Sequence, residues 1–237
     1  PRCWVGANAT THARHEVIEV EVAGVDGQVL SDGRTAVPVS MAGSAIAPLV
    51  ATPFDDRVVT TEHSMANGHV AVHWDLDGTI TSIIDVARGR ELLPSGRPIE
   101  FELAPDHPVE YDAWDLEAWT RLAGTPLPAA TEVALVERGP LLARLRVRRA
   151  FGASTMTVQY TVRAGSARLD LDIDVDYDLD LEERRIRTFL QWGPEAIIIA
   201  GTSHSEETVR LLKSMPISVV EGSSQRRGCS SSGAIGS

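Results

Sequence analysis

A chain of 237 residues has room for one large β domain, or for one medium domain with a fragment beside it. Hydrophobic residues make up 43% and charged residues 23%, while aromatics reach only 5%, so aliphatic side chains must build most of the core. The formal net charge of -11 argues against nucleic-acid binding by the whole chain, because phosphate contacts need clustered Lys and Arg.

The first segment, PRCWVGANATTHARHEV, has neither an initiator Met nor a hydrophobic signal core, and the expectation is that the chain begins inside a longer protein. HEVIEVEVA (15–23) alternates, with Val17 or Ile18 and then Val20 and Val22 as its apolar set. RVVTTEH (57–63) and GHVAVHWDLDGTITSIIDVARGRELL (68–93) follow as strands. Asp77-Gly78 separates two alternating runs, a hairpin signal, because the turn needs positive φ and glycine supplies it cheaply. TEVALVERGPLLARLRVRRAF (131–151) breaks at Gly139-Pro140 and STMTVQYTVRAGSARLDLDIDVDYD (154–178) at Ala164-Gly165-Ser166. In the last strand Leu169, Leu171, Ile173 and Val175 face one way and Asp170, Asp172, Asp174 and Asp176 the other. Many short strands with close turn signals predict an antiparallel sandwich.

After Tyr177 the period changes. LEERRIRTFLQW (181–192) sets Ile186, Phe189 and Leu190 on one helical face. PEAIIIAGT (194–202) is a continuous apolar run, the mark of a buried parallel strand. Ser205 is placed to cap a helix over EETVRLLK (206–213), and ISVVE (217–221) is a further strand. The expected order is α-β-α-β. The tail, 222–237, is mostly Gly and Ser and is expected to be disordered. No apolar run approaches the length of a membrane span of about 18 residues.

Few motifs promise chemistry. Cys3 and Cys229 lie near opposite ends and suggest neither a metal knuckle nor a disulfide framework. Of the seven histidines, His69 and His73 are spaced i, i+4, but on a strand they stand about 13 Å apart and read as an ordinary polar face. Asp75, Asp77 and Gly78 resemble the start of a calcium loop. Its twelfth position is Val86 where a Glu is required, so a hairpin turn is the better reading. The alternating aspartates read as a solvated strand face rather than a cation site. EYDAWD, Glu110 to Asp115, is different: Tyr111, Trp114 and Trp119 crowd beside Asp112 and Asp115. Aromatic faces stack on sugar C–H groups and carboxylates bind hydroxyls. The plainer alternative makes Trp114 a core anchor and the aspartates loop caps.

DLDGTITSIIDVARGRELLP (75–94) resembles the start of the C-terminal sandwich of family 38 α-mannosidases. PVEYDAWDLEAW (108–119) is similar to that family's (W/Y)DAWD segment, in the right order and spacing. NATTHARHEVIEVEV (8–22) and RLDLDIDVDY (168–177) resemble two further strands of the same region, so the likeness covers residues 8–176. PEAIIIAGTSHSEETVRLLKSMPISVVE (194–221) is similar to the effector-binding domain of LacI-type repressors, with residues 179–192 as the helix before it.

What the resemblance implies is a mainly β fold, an antiparallel β-sandwich of galactose-mutarotase-like or α-mannosidase C-terminal type, followed by a short α/β fragment and a disordered tail. The implied segments are a linker and small β region at 1–56, an incomplete sandwich at 57–177, the LacI-like fragment at 178–221 and the tail at 222–237. The implied role is that of an accessory domain of a retaining α-mannosidase, one that supports the catalytic domain and its carbohydrate cleft. No catalytic or metal residue carries over. The paired carboxylates and the zinc ion belong to the family's catalytic domain, so the chain alone is expected to be inactive and free of cofactor. Tyr111, Asp112, Trp114 and Asp115 are expected to face substrate or the domain interface. The expected partners are the catalytic domain of the same polypeptide and carbohydrate, not nucleic acid or membrane, in a bacterial cytoplasm. A stand-alone carbohydrate-binding module, a LacI-like sugar sensor and a truncated or chimeric product without activity are the alternatives.

Overall fold

The structure, a computed structural model, describes residues 4–21, 24–105, 118–176, 179–194, 196–200, 204–214 and 218–222. Cys3, Tyr111, Asp112, Trp114, Asp115, Cys229 and the tail beyond Gly222 lie outside them. The chain forms two compact units, one of Pro1–Phe151 with Met156–Asp174 and the other of Gly152–Thr155 with Val175–Ser237.

The described strands of the first unit form antiparallel sheets. At its start β1 (Val5–Asn8), β2 (Arg14–Val20), β3 (Gln28–Val29), β4 (Thr35–Met41) and β5 (Ala45–Pro48) make two small sheets, β1-β5 and β2-β4-β3. In β2 the buried face carries Val17 and, beside it, Glu19, while Ile18 and Val20 are half-buried on the other side. The apolar set therefore begins at Val17, and a glutamate occupies its next inward position.

A five-stranded meander follows: β6 (Val59–Thr60), β7 (Ser64–Ala66), β8 (Val70–Trp74), β9 (Ile80–Asp85) and β10 (Arg90–Glu91), each paired with the next. Alternation decides its inner face. Val70, Val72 and Trp74 are buried and His73 is exposed. The β8–β9 turn is built as its residues predict, with Asp75 Oδ1 accepting from the backbone N–H groups of Asp77 and Thr79, both at 2.9 Å. Gly78 takes φ +71°, and a Cβ there would stand 2.6 Å from Val147 Cγ2, so both conformation and space require glycine.

A short ribbon, β11 (Glu102–Leu103) with β12 (Thr125–Pro126), precedes the second large sheet. That sheet runs in order β13 (Glu132–Arg138), β14 (Leu142–Phe151), β15 (Ser154–Arg163) and β16 (Leu169–Asp176). Met65, Val72, Trp74 and Ile80 of the meander are buried, as are Leu145, Val147, Met156, Val158, Tyr160 and Val162 of the second sheet. Each fully buried aliphatic side chain contributes roughly 1.5–3 kcal/mol. Polar bonds lock the sandwich at its end: Asn67 Nδ2 donates to the carbonyls of Arg163 and Ser166 at 2.7 and 2.8 Å.

The second unit has the α-β-α-β order expected of residues 178–221. It consists of α1 (Leu179–Gln191), β17 (Ala196–Ala200), α2 (Glu206–Lys213) and β18 (Ser218–Gly222), with β17 and β18 parallel. Ser205 caps α2, its hydroxyl accepting from Thr208 N–H at 3.0 Å. Ile186 and Leu212 are buried, with Leu190, Ile197, Leu211 and Val219 packed on them. Phe189 departs from the expected face. It is exposed and meets Trp192 edge-on at 5.2 Å, because the narrow stripe Ile186–Leu190 already fills the contact with so short an α/β segment.

Candidate functional site

The four residues with the strongest sequence signal, Tyr111, Asp112, Trp114 and Asp115, lie in a segment outside the described residues, and the structure describes the root of that segment. The chain leaves the sandwich at Leu103 and returns at Thr125, and β11 and β12 hold these two points side by side. Leu127 N–H donates to Phe101 O at 2.9 Å, and Thr125 Oγ1 to Leu103 O at 3.2 Å. Upstream, Ile99 N–H donates to Ile80 O at 2.9 Å, so the ribbon hangs from β9. On the return path a single 3₁₀ turn, Thr120–Leu122, buries Thr120.

Beside this root lies a pocket of about 130 Å³ whose walls include Asp77, Thr79, Phe101, Leu127, Arg149 and Tyr160. Arg149 organises it. Its Nη1 donates to Asp77 Oδ2 at 2.6 Å and to Pro128 O at 2.8 Å, and its Nη2 donates to Asp77 O at 2.9 Å. Ala130 N–H adds a bond to Asp77 Oδ1 at 2.7 Å. One guanidinium thus ties the β8–β9 turn, the segment after the ribbon and β14 together. Burial works against the Asp77 charge, but the Ala130 N–H and Arg149 outweigh it and hold the carboxyl below its ordinary range. Tyr160, 2% exposed, has its phenol pushed up to about 12 by burial and stays neutral. Asp77 and Arg149 are therefore committed to each other, and this wall serves to position groups rather than to transfer protons.

A second constellation escaped the sequence. Glu19 Oε1 accepts from Arg144 Nη2 and Arg163 Nη2, both at 2.6 Å, and Glu19 Oε2 pairs with Arg34 Nη2 at 2.8 Å. Arg144 Nε also donates to Thr161 Oγ1 at 3.1 Å, Arg34 binds Asp32, and Arg163 binds Asp170. Three cations thus meet three carboxylates. The side chains of Glu19 and Arg144 are 9% and 6% exposed. Burial opposes the Glu19 charge, yet the hydrogen bond and charge of Arg144, with Arg163 and Arg34, hold its carboxyl below the usual glutamate value. The network joins β2 of the N-terminal sheet to β14 and β15 of the sandwich.

An open pocket of about 380 Å³ lies between the same layers, walled by Pro38, Pro53, Phe54, Pro140 and Leu141 with Arg57 at its side. Gln28 closes its floor, Oε1 accepting from the N–H groups of Leu141 and Leu142 at 2.9 Å. Among the described residues, no group of three or more His, Cys, Asp or Glu is disposed to hold a metal ion. Also among them, no helix is long and apolar enough to cross a membrane.

The model of the glycosyl hydrolases family 38 C-terminal domain matches residues 65–208. No curated protein matches the chain. The matched range opens in β7, takes in the hairpin, the ribbon and the whole second sheet, and continues past residue 177 through β17 into α2. Order, hairpin chemistry and sheet architecture agree with this over more than half of the sequence, and the chain belongs to the family 38 glycosyl hydrolases as a C-terminal domain.

Proposed function

We propose that this chain is the accessory sandwich of a retaining α-mannosidase and shapes the carbohydrate cleft of the catalytic domain in the same polypeptide. The observation that carries this reading is the family 38 C-terminal domain match over residues 65–208. The paired carboxylates of the retaining reaction and the zinc ion belong to the catalytic domain, in a cytoplasmic bacterial enzyme. Tyr111, Asp112, Trp114 and Asp115 are the contribution of this chain. The aspartates bind a sugar hydroxyl or orient a catalytic-domain group, and Trp114 fixes the segment. The Arg149 clamp supports this reading, because it holds the point to which that segment returns.

The test is Asp112→Asn and Asp115→Asn in the intact enzyme, assayed on an aryl α-mannoside. A positioning role lowers kcat/KM and leaves the melting temperature near that of the parent. A lowered melting temperature with normal turnover would overturn it. The isolated chain is expected to leave the same substrate intact, and zinc-dependent turnover by it would show that the chemistry had been assigned to the wrong domain.

A further inference from the structure

The pocket beside the ribbon holds one buried polar group that nothing satisfies. Tyr160 of β15 is 2% exposed and forms part of the pocket wall, and its phenol makes no hydrogen bond to a described residue. A buried phenol ordinarily has a partner. Burial raises its pKa and the charge of Arg149 acts against that, which sets the hydroxyl toward the end of the pocket that Arg149 walls. The neutral phenol there is a hydrogen-bond donor in want of an acceptor.

The rest of the wall defines what brings that acceptor. Arg149 is spent on Asp77 and Pro128 O, so it offers no free positive charge to an anion. Asp77 is bonded at both carboxylate oxygens. Glu100, exposed at the pocket wall, makes no hydrogen bond or ion pair with a described residue. It repels anions and accepts from hydroxyl groups, and one free carboxylate is too few for a metal ion. Phe101, Leu127 and Val158 add apolar surface. A volume of about 130 Å³ is that of about four waters, at roughly 30 Å³ each. That admits one edge of a sugar ring and excludes a disaccharide.

We propose that this pocket binds a neutral polyol, the hydroxymethyl arm and adjoining edge of one sugar ring, with Tyr160 donating to the terminal hydroxyl and Glu100 accepting from a neighbouring one. The ring C–H groups then lie on Phe101 and Leu127. The site is built by this chain alone, so a negative result here leaves the Asp112 and Asp115 test in the intact enzyme untouched.

The experiment titrates the full chain with methyl α-D-mannopyranoside and follows its amide NMR signals. Saturable shifts at Thr79, Phe101 and Leu127 are expected. The 6-deoxy analogue should bind about fivefold or more weakly, the loss of one neutral hydrogen bond, and the analogue with a carboxylate at C6 weaker still. Glycerol should move the same amides without the ring contacts, and so bind more weakly than the glycoside; equal binding would assign the pocket to small free polyols and overturn the sugar-ring reading. Tyr160→Phe should lose the preference for the 6-hydroxyl while keeping its circular dichroism spectrum. The analogue comparison uses the unmodified protein and does not depend on how the variant folds. Absence of shifts at these amides with every probe, equal binding of the 6-deoxy analogue, or tighter binding of the carboxylate would each overturn the proposal.

Discussion

Replacing Glu19 by Gln is expected to destabilise the first unit more than any surface charge substitution in the chain. The amide keeps the shape of the side chain and removes the charge that three guanidinium groups share. Arg34 and Arg163 retain Asp32 and Asp170, but Arg144 retains only the hydroxyl of Thr161. Arg144 is the most deeply buried of the three, so the variant strands a cation that has lost its counter-charge. Removing one partner of a buried ion pair costs about 3–5 kcal/mol. For a unit of this size that is a fall in Tm of roughly 6–20 °C. Thermal melts followed by circular dichroism give the comparison, with Arg88→Ala as control, since Arg88 pairs with Asp85 at the exposed surface. The loss should persist in concentrated salt, which screens surface pairs far more than buried ones. It should also depend on pH with a definite sign. The native pKa of Glu19 lies below its ordinary value near 4.5, so its contribution is complete above that value and disappears as pH falls through the lower native one. The gap between parent and variant must then narrow on acidification. A variant that melts within 2 °C of the parent at neutral pH, or a gap that widens in acid, would refute the reasoning (on the scale of about 2–4 °C per kcal/mol).

Gly78→Ala should destabilise by more than about 1 kcal/mol in the same melts, because the alanine meets both a positive φ and Val147. Arg149→Met should speed amide exchange at Ala130 and around the β8–β9 turn while leaving α2 unchanged, and protection as in the parent would mean that the clamp is idle. Glu91 accepts from Ser82 Oγ at 2.5 Å and from the N–H groups of Ile83, Leu92 and Leu93 at 2.9 Å, and these donors pull its pKa down to about 2. Carbon-detected NMR titration should find that value, and Ser82→Ala should raise it.

Local pattern carried most of the fold. Val70, Val72 and Trp74 alternate with His73, and the turn at Asp77-Gly78 falls where its chemistry demands. The change of period after Tyr177 likewise marks the α/β segment. What the pattern could not carry is long-range polar pairing. Glu19 lies 125 residues from Arg144 and 144 from Arg163. Nothing local in HEVIEVEV distinguishes a glutamate that faces three arginines from one that faces water. The only hint was the choice of inward set, Val17 or Ile18, which alternation left open. Arg149 was hidden for the same reason: in LRVRRAF it is one of several arginines, and only the returning turn selects it. Phe189 shows the converse, a helical stripe wider on paper than the partner surface available to cover it.

The ribbon β11–β12 bears on how such a domain diversifies. Its two strands are each only two residues long, yet they bring the ends of a 21-residue excursion, 104–124, to neighbouring positions. Closure entropy rises only logarithmically with length, about 0.6 kcal/mol for each doubling. Lengthening, shortening or rewriting the excursion therefore asks little of the sandwich, provided the ribbon and the Arg149 clamp remain. The scaffold works as a socket: inheritance or a protein engineer can exchange the inserted sequence as a cassette, and selection on its chemistry is uncoupled from selection on folding.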